Sequence, residues 1–216
     1  MEDLKDLYMK KNLWPLITSN LRFTFGPHLG LAMVLLLITP LLFGIENLDA
    51  AGSAAPLEML VALSGVLLLT PVFMPESKPE VEAVVASRAV SCTVIWALRL
   101  LYSVLSLAVL IGLFGMIMRL GHCDISVKML AGTMAGALFL GAAGLLTNAV
   151  FNNVAVSYMI PMIIYAASFS GPKVMGHFWL FSMTAGQYDQ KLWLLGGAVV
   201  LTAAAFLVKA IKRRSA

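Results

Sequence analysis

The chain has 216 residues, of which 60% are hydrophobic and only 12% charged, with a formal net charge of +4 and a mean hydropathy of +0.91. A soluble domain carries about 25% charged residues, so these few charges could not cover a water-facing surface of this size. They also cluster between long apolar runs, which argues against a soluble enzyme or a nucleic-acid-binding domain and for a multi-span α-helical membrane protein. A membrane barrel would instead show short alternating segments, and none appear.

Residues 1–28 read as a cytosolic N-terminus followed by an interfacial amphipathic helix. In "NLWPLITSNLRFTFGP", Leu13, Leu16, Ile17 and Leu21 share one helical face, and Trp14 and Phe25 suit the headgroup level. Gly26-Pro27 would turn the chain into the bilayer. Charges run through Lys11 and no small-residue site closes a short apolar core, so no cleavable signal peptide is expected here.

A transmembrane domain over residues 29–208 follows. Its six apolar segments are about 29–45, 57–74, 100–118, 129–151, 154–170 and 192–208, each matched to a roughly 30 Å hydrocarbon core. The predicted fold is therefore an all-α polytopic membrane protein with six transmembrane helices, an N-terminal interfacial helix and a cytosolic coupling helix. Basic residues set its direction. With both termini in the cytoplasm, Lys5, Lys10, Lys11, Arg22, Lys78, Arg88, Arg99, Lys209, Lys212, Arg213 and Arg214 lie inside. Only Arg119, Lys128, Lys173 and Lys191 lie outside. The first outer loop, "ENLDAAGSAAPLE", has acids and no base. Residues 209–216 form a basic cytosolic tail.

Between the second and third spans lies the stretch "PESKPEVEAVVASRAVS", in a cytosolic loop over 75–99. Ser77 caps a helix, Pro79 falls in its first turn, and Glu80 completes a capping-box pattern. Glu76, Glu80 and Glu82 suit the positive end of the helix dipole, and Arg88 the other. Val81, Val84 and Val85 form an apolar patch. Such a helix either lies in the interface or docks a soluble partner.

Farther on, Gly132, Gly136 and Gly141 carry a small-residue spacing that allows close helix packing, within the subunit or at a dimer contact. In "TNAVFNN", Asn148 lies inside the fourth span, while Asn152 and Asn153 form a short cytosolic turn suited to helix capping or to a second partner contact. Residues 171–190 are too short for a span and too apolar for a solvated loop, so a re-entrant or interfacial outer segment is expected. Cys92 and Cys123 read as apolar thiols, and His28, His122 and His177 are isolated, so no metal site is expected.

The stretch "PESKPEVEAVVASRAVSCTVIWALRL" resembles the loop between the second and third spans of type-2 ABC exporter permeases. The layout of interfacial helix, six spans and cytosolic ends is similar as well. The resemblance implies a permease subunit that couples a separate ATPase to export of an amphipathic peptide, drug or lipid. Residues 77–88 would be the coupling helix, with Glu76, Glu80 and Arg88 as polar contacts and Val84 and Val85 as apolar ones. Asn152 and Asn153 would form a second, smaller contact. Partners would be ABC ATPase subunits and a second permease, in a homo- or heterodimer within the inner membrane. No GxxxxGK[ST] cradle is present, so the chain is not expected to be an enzyme. It would hold no cofactor, and the partner ATPase would bind ATP and Mg. The alternatives are an ion-coupled secondary transporter, disfavoured by the lack of ionisable residues in mid-span, an intramembrane enzyme, for which no catalytic motif is present, and a non-transporting assembly or immunity protein.

Overall fold

The computed structural model describes residues 25–77 and 92–215. The expected interfacial helix up to residue 24 and the loop over 78–91 lie outside the described residues. Within them the chain is helical, without strands. The elements are α1 (Gly26–Phe43), α2 (Ala50–Met59), α3 (Ser64–Leu69), α4 (Cys92–Leu120), α5 (Val127–Phe151), α6 (Val154–Ser168), α7 (Pro172–Met175) and α8 (Asp189–Ser215), with 3-10 turns at Val61–Leu63, Thr70–Ser77 and Gly176–Phe178.

Five stretches are long and apolar enough to cross a membrane: α1, the broken run Ala50–Pro75, α4, α5 and α8. The segment expected at 154–170 forms the shorter α6, of 15 residues, about 22 Å long. Successive helices alternate in direction. One end of the bundle, the loop end, carries Ser77, Cys92, the Asn152-Asn153 turn and the C-terminus. The other, the hairpin end, carries 44–49, 121–126 and 169–188.

The helix ends are written in local chemistry. Pro27 sits in the first turn of α1, and Gly44, in the left-handed region, donates back to the Pro40 carbonyl at 2.9 Å. The Asp49 side chain accepts from Gly52 N–H at 2.8 Å and starts α2. Ser126 caps α5 by accepting from Met129 N–H at 3.3 Å. Asn152 closes α5 with φ +50°. Asn153 then opens α6 by accepting from Ala155 and Val156 N–H.

The second expected span differs most from its prediction at 57–74. It begins at Ala50 and is not one regular helix. Pro56 removes a donor inside α2. Leu63 N–H then bonds the Leu60 carbonyl, not that of Met59. The freed Met59 carbonyl accepts the Tyr165 hydroxyl of α6 at 2.7 Å. The third span also differs. It starts at Cys92, not at 100, and Arg99 is buried inside it.

The second run and α5 make the interior. Each is 72% buried in its apolar window, against 11% for α1 and 22% for α8. The outer helices turn large apolar side chains outward, with Leu41 85% and Leu120 82% exposed. Thr133, Thr147, Ser157 and Ser168 are buried, each donating to a carbonyl one turn back. Apolar outside and small hydroxyls inside is the pattern of a chain solvated by lipid. Contact between α3 and α5 is backbone to backbone. A Cβ on Gly65 would overlap the Ala137 carbonyl, and one on Gly141 would stand 2.6 Å from the Gly65 carbonyl oxygen.

Gly65→Ala is therefore expected to destabilise by about 1–3 kcal/mol through overpacking, read as a lower thermal midpoint in detergent. Gly112→Ala, whose Cβ would meet nothing within 4 Å, should leave the midpoint unchanged or raise it. Equal midpoints for the two variants would refute the close α3–α5 contact.

Candidate functional site

Two polar constellations stand at opposite ends of the bundle. At the loop end the roots of segment 78–91 are tied down. Val72 lies in the 3-10 turn, where the donor three residues on would be Pro75, which has no N–H. Its carbonyl is taken instead by the buried Arg99 guanidinium at 3.2 Å. Phe73, Trp96 and Phe206 pack edge-on beside this contact, joining the second run, α4 and α8. From α8, the buried Lys209 donates to Asn152 Oδ1 at 3.1 Å, and Lys212 donates to the Val150 carbonyl. The end of the second run, the start of α4, the α5–α6 turn and the end of α8 are thereby linked around one face.

Among the expected coupling residues, Glu80, Val84, Val85 and Arg88 lie outside the described residues. Glu76 and Ser77 end the 3-10 turn Thr70–Ser77, and their side chains also lie outside. Asn152 and Asn153 are exposed at the loop end and act as caps, with Asn152 adding the Lys209 contact. Asn148 is fully buried, and neither amide atom has a hydrogen-bond partner among the described residues.

At the hairpin end lies a site that the sequence reading assigned to a span edge and an outer loop. Glu58 and Lys191 are both buried, with Oε1 and Nζ 2.6 Å apart. Glu58 Oε1 also accepts from Met183 N–H at 2.8 Å, and Oε2 from Thr184 N–H at 3.1 Å. Lys191 Nζ donates to the Leu180 carbonyl at 2.5 Å. The carboxylate and the ammonium thus grip both flanks of the turn 180–184, whose Leu180, Phe181, Ser182 and Met183 are buried.

The α5 glycines make room for this grip. A Cβ on Gly132 would stand 2.5 Å from Met183 Sδ and 3.3 Å from Lys191 Cγ. On Gly136 it would touch Leu180 at 3.8 Å, and on Gly141 the second run. All three glycines are buried within the chain, facing its own hairpin and α3. The only sequence signal for the pair was an acid, Glu58, abutting an apolar run. Among the described residues no cluster of His, Cys, Asp and Glu could hold a metal ion.

No protein-family model, curated protein or solved structure matches the chain.

Removing one partner of a buried ion pair strands the other charge and costs about 3–5 kcal/mol. Glu58→Gln and Lys191→Met are each expected to lower the thermal midpoint sharply. The double variant should lose much less than the sum of the two. Strictly additive losses would show that the two side chains are not coupled.

Proposed function

We propose that the chain is the membrane permease subunit of a type-2 ABC exporter, with residues 77–88 as the helix that receives motion from a separate ATPase. The observation that carries this reading is the anchoring of both roots of that segment. Arg99 fastens the start of α4 to Val72, so a push on the segment would move two helices as one lever. Lys209 and Lys212 tie the end of α8 to the α5–α6 turn beside it, where Asn152 and Asn153 would make the second contact. The acids of the segment, Glu76, Glu80 and Glu82, suit a basic rim on a partner, and Val84 and Val85 an apolar groove.

In this reading the loop end is cytosolic, both termini lie in the cytoplasm and α6 serves as the fifth of six spans. The chain works as a homo- or heterodimer in the inner membrane, and its cargo is amphipathic. A second reading, ion-coupled transport, draws on the buried Glu58–Lys191 pair. Both carboxylate oxygens and two of the three ammonium donors are already taken by a backbone group or the partner side chain, which suits a strut better than an ion carrier. Export in sealed vesicles driven by a proton gradient without an ATPase would favour the second reading over the first.

Val84→Asp puts a carboxylate in the docking face, and burying it unpaired costs several kcal/mol, enough to weaken docking by orders of magnitude. The expected result is loss of ATPase pull-down and of export with normal membrane levels. Ser77→Ala, which loses a cap of about 1 kcal/mol, should show a mild defect. Full association and full export in Val84→Asp would sink the coupling assignment.

Orientation has its own check, by single-cysteine labelling of intact cells in a background lacking Cys92 and Cys123. An impermeant reagent should reach exposed positions 46 and 187 only from outside, and positions 87 and 215 only after the membrane is opened. Labelling of position 87 in sealed cells would reverse the topology.

A further inference from the structure

Helices α6 and α8 both pack along α5 but leave between them a groove of about 870 Å³, open along one side. Its floor is Phe139, Ala143 and Thr147 of α5, and its walls carry Ile164 of α6 and Gly196 and Leu201 of α8. The lining is almost wholly apolar, and its one hydroxyl, on Thr147, donates to the Ala143 carbonyl of its own helix at 2.7 Å. Apart from the indole N–H of the largely exposed Trp193, the lining offers a ligand only apolar surface.

Two neighbouring glycines behave differently here. A Cβ on Gly197 would press on Phe139 at 2.9 Å and Phe178 at 3.1 Å, so packing within the chain requires that glycine. A Cβ on Gly196 would meet nothing within 4 Å. Glycine inside a helix costs roughly 1 kcal/mol against alanine, and none of the described residues uses the space that Gly196 leaves. That space deepens the groove for an occupant that is not part of the fold.

Length and charge select the occupant. From Leu192 to Leu201 the groove runs about 13 Å along α8, close to one leaflet of a hydrocarbon core that is about 30 Å thick. A partner helix would need a groove over the full thickness. At the hairpin end, α7 packs on α6 and the turn Gly176–Phe178 packs on α8, so the two bridge the groove walls. Phe178 stacks on Phe139 at 5.6 Å and His177 on Trp193 at 5.4 Å, closing that end with rings. Exposed Lys173 lies on this bridge and offers a cation at the hairpin end of the groove. We propose that the groove is a binding site for an acyl chain of a membrane phospholipid from the hairpin-end leaflet, with the lipid phosphate held at Lys173. The site stands independently of the exporter reading.

The test uses the full chain in phosphatidylcholine vesicles doped with phosphatidylglycerol that carries a diazirine in one acyl chain. After photolysis, labelled residues are mapped by mass spectrometry. Label should concentrate on 139–147 and 192–201, well above the lipid-facing Leu37 and Leu41 of α1. Gly196→Leu sends a side chain into the groove from a position where a Cβ meets nothing within 4 Å. It should cut groove labelling by about tenfold or more, as expected for the loss of roughly two buried methylenes. Gly30→Leu, at another open helical glycine, should change nothing. Lys173→Gln should lower groove labelling by roughly two- to fivefold, the effect of one exposed ion pair. Labelling no denser in the groove than on α1, or unchanged by Gly196→Leu, overturns the site. So does efficient cross-linking between two copies through a cysteine at position 200, in a background lacking Cys92 and Cys123, because it would give the groove to a partner helix.

Discussion

A glutamate and a lysine taken out of water together stay ionised only where each lobe of charge meets an opposing charge or dipole. Glu58 and Lys191 approach that condition by recruiting the turn 180–184, which adds two N–H groups and one carbonyl to the ion pair. The turn therefore has one place to go, under the start of α8 and against α2. Its burial brings Met183 onto α5, which is possible because position 132 has no side chain. The same anchoring sets the bridge 172–178 across the tops of α6 and α8, and with it the closed end of the apolar groove. A single ionic contact thus orders the hairpin end from the inside.

A second economy runs through the bundle. At two places where the second run departs from α-helical bonding, another helix reaches in to take a carbonyl. Met59 is claimed by Tyr165 from α6, and Val72 by Arg99 from α4. In a medium without water these released groups are adhesive, since an unpaired carbonyl costs far more in hydrocarbon than at a wet surface. Irregular backbone at the core is therefore what binds the outer helices to it, while α5 supplies close approach through its glycines and alanines.

How much of this the sequence disclosed varies by element. The helices α1, α5 and α8 were legible as apolar runs, with ends displaced by a few residues where Pro27 or Asp189 extends the helix past its apolar part. The start of α2 was hidden because Ala50, Ala51, Gly52 and Ser53 read as a loop, although Asp49 caps them. Arg99 reads as the edge of a span because an arginine in lipid is costly, and the sequence does not show that the Val72 carbonyl stands within its reach. The Glu58–Lys191 pair joins opposite parts of the chain, and no local period marks such a pairing. The Ser126 cap pairs with Met129, which no acidic or amide motif would flag. Of the proposed coupling surface, the described residues reach only the roots and the Asn152-Asn153 turn.

The helices α4 and α6 differ in length by nearly a factor of two. At 29 residues α4 is about 43 Å long, whereas α6 is about 22 Å, against a hydrocarbon core of roughly 30 Å. A bilayer cannot match both without deforming. The helix α4 can tilt or overshoot, but with α6 as the proposed fifth span the bilayer beside it would have to thin, at a fraction of a kcal/mol for each ångström. The protein's perimeter then has a low side, next to the groove, where shorter-chain lipids fit with least strain. The short flank, more than the total apolar length, sets which membrane thickness suits this protein.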